Sequence, residues 1–136
     1  MILLTPEQAH EKFQAVFALK TKLTHWDTGQ TDQEFIQEYF TKLPVSLLLC
    51  EEEKSELKRF AYIIIEDKPT AYFWLIYSSK DSPMDTHRFI SRIKSYLKGT
   101  GFKTVEFKTT NTQLSYERWV KKFGARVVEK TFNVTL

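Results

Sequence analysis

One cysteine, Cys50, is too few for an internal disulfide, and it lies in an apolar strand-like run where a thiol is expected to be buried and inert. There is no Cys/His cluster and no His pair at ligand spacing, so no metal site is expected. Walker and dinucleotide glycine fingerprints are missing, and none of the serines sits in a nucleophile elbow. The longest apolar runs, such as residues 45–50, are far too short to span a bilayer. Met1-Ile2-Leu3-Leu4 has neither the basic start nor the long apolar region of a secretion signal. Zinc proteins, P-loop and dinucleotide enzymes, serine hydrolases and membrane proteins are thereby set aside. The expectation is an intracellular, cytoplasmic protein without membrane contact.

What is present is a chain of 136 residues, enough for one domain over 1–136 with one substantial core. Hydrophobic residues at 42% and aromatics at 15% exclude a disordered chain. The net charge of +3 hides an asymmetry: residues 1–85 carry 9 Lys/Arg against 14 Asp/Glu, and residues 86–136 carry 11 against 3. A basic second half reads either as solvated helix faces or as attraction to a polyanion.

Three helix starts are legible. Thr5-Pro6-Glu7-Gln8 is a capping box with proline in the first turn, followed by Phe13, Val16 and Phe17 on one face. Thr31-Asp32-Gln33-Glu34 repeats the device ahead of Phe35, Ile36, Tyr39, Phe40 and Leu43, and Pro44 ends the helix. Ser82-Pro83-Met84-Asp85 opens the third, with Phe89, Ile90, Ile93, Tyr96 and Leu97, stopped by Gly99 and Gly101. Strands are expected at 45–50, 60–66 and 71–79, joined as an antiparallel meander across the acidic segment 51–56 and the turn 67–70. In the third of these, Tyr72, Trp74 and Ile76 face one way and Phe73, Leu75 and Tyr77 the other, so the strand is central and covered on both sides. A strand at 103–109, a helix from about Thr112 carrying Tyr116, Trp119, Val120 and Phe123, and a strand at 126–134 complete the chain. With residues 2–4 as a first short strand, the order is strand, two helices, three strands, helix, strand, helix, strand. The crossover through the third helix makes its flanking strands parallel. The fold class is α/β (α+β): a mixed central sheet with helices on both faces.

This order, together with LSYERWVKKFGARVVEKTF near the end, resembles the GCN5-related N-acetyltransferase (GNAT) superfamily over nearly the whole chain. The resemblance implies acetyl-CoA in a cleft where the third meander strand and the following parallel strand splay apart. It implies pantetheine on the backbone of Leu75, Ile76 and Tyr77, with phosphates near Lys80, Ser82, His87, Arg88 and Asn111. It places His25, Trp26 and Asp27, between the first two helices, beside the amine acceptor. Tyr116 becomes the candidate proton donor and Glu106 the candidate base.

Three family features are altered. The phosphate loop has no glycine in residues 78–88, and Pro83 removes a free N–H from the helix start. Ser82 would cap another amide, and Asp85 puts negative charge beside the expected phosphate. The position four residues before Gly124, where the family often has tyrosine, is Val120, with Tyr116 one turn earlier. The usual Gly-Phe is Gly124-Ala125. Two classes of function follow. One is an acyl-CoA-dependent N-acyltransferase acting on an amine. The other is a GNAT-fold binding or structural protein with a protein partner, resembling small phage-encoded and in some cases virion-associated proteins of the superfamily. Arg88, Arg92, Lys94 and Lys98 on one helix suggest nucleic acid only weakly, because no stacking aromatics accompany them.

Overall fold

The structure, a computed structural model, describes residues 1–20, 24–25, 30–79, 83–108, 121–122, 126–128 and 131–136. Both N-terminal helices begin where the capping boxes lie. Helix α1 (Pro6–Ala18) starts with the Gln8 amide donating to Thr5 Oγ1 at 3.2 Å and the Thr5 amide donating to Gln8 Oε1 at 3.0 Å. Helix α2 (Asp32–Thr41) does the same through Thr31 and Glu34. A 3-10 turn at Leu43–Val45, containing Pro44, leads into the sheet.

Strands β1 (Ile2–Leu3), β2 (Thr24–His25), β3 (Ser46–Glu53), β4 (Glu56–Ile64) and β5 (Thr70–Ser78) precede helix α3 (Pro83–Gly99). Strands β6 (Thr104–Lys108), β7 (Arg126–Val128) and β8 (Thr131–Thr135) follow it. The sheet order is β1-β3-β4-β5-β6-β8-β7, with β2 paired to β5 off this path. The antiparallel β3-β4-β5 meander and the parallel β5-α3-β6 crossover are as the sequence suggests. Helix α3 ends in a Schellman arrangement, with Phe102 N–H donating to Leu97 O at 3.0 Å and Gly101 N–H to Lys98 O at 3.2 Å. Gly101 takes the left-handed conformation at φ +93°, whereas Gly99 stays helical.

Four expectations need correction. The acidic segment 51–56 is not a loop: β3 runs through Glu53, β4 starts at Glu56, and only Lys54 and Ser55 turn the chain. Its carboxylates are tolerated in the ladder because Glu51 meets Arg59 and Arg92, and Glu52 meets Lys12. The last strand is two strands, β7 and β8, paired antiparallel. An additional strand, β2, lies between α1 and α2, and the strict alternation expected along residues 72–77 fails, for a reason given below. Of the expected last helix only Lys121 and Lys122 are described, both helical.

Lys54 and Ser55 hold φ of 52° and 65°, a left-handed pair of the kind a two-residue hairpin favours in glycine or asparagine. The left-handed region costs an L-residue about 1–2 kcal/mol, partly offset in glycine by chain entropy. Ser55→Gly is therefore expected to stabilise by about 0.5–1 kcal/mol and raise Tm by about 2–4 °C in a thermal melt. An unchanged or lowered Tm would contradict a strained turn.

The sheet separates two apolar layers. Phe89, Ile90, Ile93 and Leu97 of α3 pack on Leu47, Leu49, Ile63, Phe73 and Ile76. On the other face Ala9, Phe13 and Val16 of α1 and Phe35 and Tyr39 of α2 pack on Leu48, Cys50, Phe60, Tyr62, Trp74 and Leu75. Two phenols tie this second layer together: Tyr62 Oη donates to Tyr39 O at 2.6 Å, and Tyr39 Oη donates to Ala9 O at 2.8 Å. Burial pushes both phenols well above the ordinary tyrosine range, so they remain neutral donors. Cys50 is fully buried, and burial likewise pushes its thiol up, in keeping with an inert cysteine.

Candidate active site

Among the described residues, β5 and β6 part beside a single extra residue. In the β4–β5 ladder Tyr62 pairs with Leu75 and Ile63 with Phe73, which leaves Trp74 without a counterpart. This is a β-bulge, and it puts two consecutive side chains on one face. Trp74, Leu75 and Tyr77 face α1 and α2, whereas Ala71, Phe73 and Ile76 face α3. The alternation read from the sequence therefore breaks at Trp74. Both faces of β5 are apolar there, so composition carries no trace of the shift.

The bulge coincides with the end of parallel pairing. β6 accompanies β5 from Thr70↔Thr104 to Phe73↔Phe107 and no further. β5 then continues to Ser78 with β4 along one edge only. Its other edge is taken by β2, antiparallel, with His25 opposite Leu75 and Thr24 opposite Ile76. The backbone expected to carry a pantetheine arm, at Leu75, Ile76 and Tyr77, thus lies in the opening between β5 and β6, and at two of these residues it is paired with the chain's own segment.

At the far end of β5, Ser78 Oγ lies 2.6 Å from Thr86 Oγ1, fastening the strand to the first turns of α3. His87 and Arg88 are exposed on α3 and line a shallow hollow of about 370 Å³ with Met84, Ser91 and Arg92. Arg88 lies 3.5 Å from Asp85, and Arg92 lies 2.6 Å from Glu51, so both arginines of the basic stripe of α3 have carboxylate partners. A second depression, about 260 Å³, lies on the β1–β3 side and is lined by Glu51, Arg59, Asp85, Arg88 and Arg92 among others. Its charges largely neutralise one another.

Glu106 stands opposite Tyr72 across the β5–β6 pair, just before the opening. Its neighbour Val105 belongs to the α3-facing layer, so Glu106 projects toward the α1/α2 side. Tyr72 shares that side through its register with Ile64, and its phenol is pushed up, chiefly by burial and then by the charges of Glu106 and Asp67. Sequence reasoning passed over Tyr72, because only the parallel register makes it a neighbour of Glu106. Lys80, Ser82, Asn111, Tyr116, Trp26 and Asp27 lie outside the described residues, and of His25 the strand backbone is described. Among the described residues no group of three His, Cys, Asp or Glu could hold a metal ion, and no helix is long and apolar enough to cross a membrane.

No protein-family model matches the sequence, and no curated protein matches it significantly. Solved structures do match. An N-acetyltransferase from Staphylococcus aureus Mu50 superposes with a TM-score of 0.74 at 9% identity, covering 98% of this chain and 95% of that one. Aminoglycoside 6'-acetyltransferase type Ii matches with a TM-score of 0.69 at 15% identity, over 99% of this chain and 97% of that one. A GNAT family acetyltransferase from Elizabethkingia anophelis, solved with acetyl-CoA bound, matches with a TM-score of 0.61 at 11% identity, over 84% and 97%. Identities this low speak for architecture alone. The bulged β5, its divergence from β6 and these superpositions together give the chain the fold of the GCN5-related N-acetyltransferase superfamily.

Proposed function

We propose that this protein is an acyl-CoA-dependent N-acyltransferase that passes an acetyl group to an amine at the opening between β5 and β6. The observation that carries the reading is the bulge at Trp74. β5–β6 pairing ends beside it, and β5 runs five residues further, with Leu75 and Ile76 paired to β2 on the edge that a chain of amides would match. Bound acetyl-CoA supplies an activated acetyl thioester. The chain's own contribution is to hold that arm on Leu75, Ile76 and Tyr77 and to receive its phosphates near Lys80, Ser82, His87, Arg88 and Asn111. Glu106, beside the half-buried Tyr72, takes the proton from the incoming amine directly or through one water. His25, Trp26 and Asp27 border the acceptor, and Tyr116 is the candidate donor to the departing thiolate. Transfer between an aligned amine and thioester depends mainly on positioning, so an imperfect acid or base slows the reaction without forbidding it. The acetyl-CoA complex of the similar Elizabethkingia structure supports the choice of cofactor.

Calorimetric titration with acetyl-CoA and CoA tests this reading. Saturable heat and a raised melting temperature are the expected result. The absence of both at millimolar ligand would overturn it. A second reading, a GNAT-fold protein that binds a protein partner and transfers nothing, is favoured by the pairing of β2 on the β5 edge and by the glycine-free residues 78–88. It requires a co-purifying partner together with no CoA binding.

A further inference from the structure

A strand has two edges, and each edge can be matched once at any residue. At Leu75 and Ile76 one edge of β5 belongs to β4, through the partners Tyr62 and Ala61. The other belongs to β2. We propose that β2 is an autoinhibitory strap: Thr24 and His25 pair with the stretch of β5 that an acyl-CoA arm uses, and the cofactor binds only when the strap has left. The inference rests on the acyltransferase reading and adds a regulatory step to it.

Two features make the strap displaceable. Among the described residues its ladder is two residues long, whereas β4 pairs with β5 from Tyr72 to Ser78 on the opposite edge. Short ladders belong to the part of a fold that opens locally, at far less cost than global unfolding. α1 and α2 are held to the sheet by their own apolar contacts and by the Tyr62–Tyr39–Ala9 hydrogen bonds, so the strap can depart while both helices stay seated. When the competent state is a minor fraction of molecules, apparent affinity falls by that fraction, and anything that weakens the strap restores it.

The test compares the wild-type chain with Thr24→Pro/His25→Pro, which removes both backbone donors of the strap, and with Thr24→Gly/His25→Gly, which keeps them but disfavours the extended strand. CoA affinity is measured by calorimetry, and amide exchange of residues 74–77 by NMR. The expected result is CoA binding tighter by about tenfold or more in both variants, with faster exchange on the β5 edge in the absence of ligand. Adding CoA to the wild-type chain should speed exchange at residues 24 and 25. Equal affinity in all three proteins would overturn the strap and leave the acyltransferase reading intact. Failure of all three to bind millimolar CoA would overturn both. Loss of folding in the glycine as well as the proline variant would identify β2 as a structural strand and also overturn the proposal.

Discussion

Truncation of Trp74 to alanine is expected to lower the free energy of unfolding by about 3–5 kcal/mol. The indole is fully buried at the bulge, with its ring 4.7 Å from Tyr62 in an edge-on arrangement and 5.3 Å from Phe35. Removing it leaves a cavity between the sheet and α2 and ends both aromatic contacts. Its Nε1–H meets no acceptor among the described residues, which costs the native state roughly 1–3 kcal/mol. Trp74→Phe removes that orphaned donor while keeping most of the ring, so it should cost less than about 1.5 kcal/mol. Urea unfolding of the two variants separates the contributions. If phenylalanine proves as damaging as alanine, the N–H is not the liability the geometry makes it.

The second large effect is expected at Glu51. Its carboxylate receives Arg59 Nε at 2.5 Å and Arg92 Nη1 at 2.6 Å, tying β3 to both β4 and α3. Arg59 is only 4% exposed, so Glu51→Ala leaves a guanidinium inside the protein with Glu53, 4.0 Å away and largely exposed, as its remaining partner. Breaking a buried pair from one side costs about 3–5 kcal/mol, and we expect the lower end because Glu53 can lean inward. Replacing both residues, as Glu51→Leu/Arg59→Met, should be much less harmful than Glu51→Ala alone, since it removes the stranded charge along with its partner. The contrast is measurable by denaturant titration, and it should persist at high salt because buried charges are poorly screened. A double variant less stable than the single one would sink this account.

These two residues also mark where the sequence could and could not be read. Helix starts were legible because a capping box is local: Thr5 with Gln8 and Thr31 with Glu34 satisfy amides three residues away. The meander and the parallel crossover followed from short connections and from one amphipathic helix between two strands. Glu51 was read as loop because three consecutive glutamates look solvated, and the arginines that neutralise the first lie 8 and 41 residues further on. The bulge at Trp74 was illegible for a different reason. Slipping one residue normally exposes an apolar side chain, but here both faces of β5 are covered, so the slip leaves no mismatch to notice. β2 was missed because two residues have no periodicity, and their pairing with β5 is wholly tertiary. Of the candidate site, the strand and helix that frame it were visible, as was Glu106 as a candidate base. Its pairing with Tyr72 and the covered edge of β5 appear only once the strands are in register.

The hydrogen bonds from Tyr62 to Tyr39 and from Tyr39 to Ala9 have a consequence for how such a protein can diversify. They fasten the two N-terminal helices to the sheet through groups that all lie outside the segment joining them. Changes of length or composition in that segment leave these bonds in place. Since Thr24 and His25 of that segment pair with β5, substitution there changes what lies along that edge while these hydrogen bonds beneath stay constant.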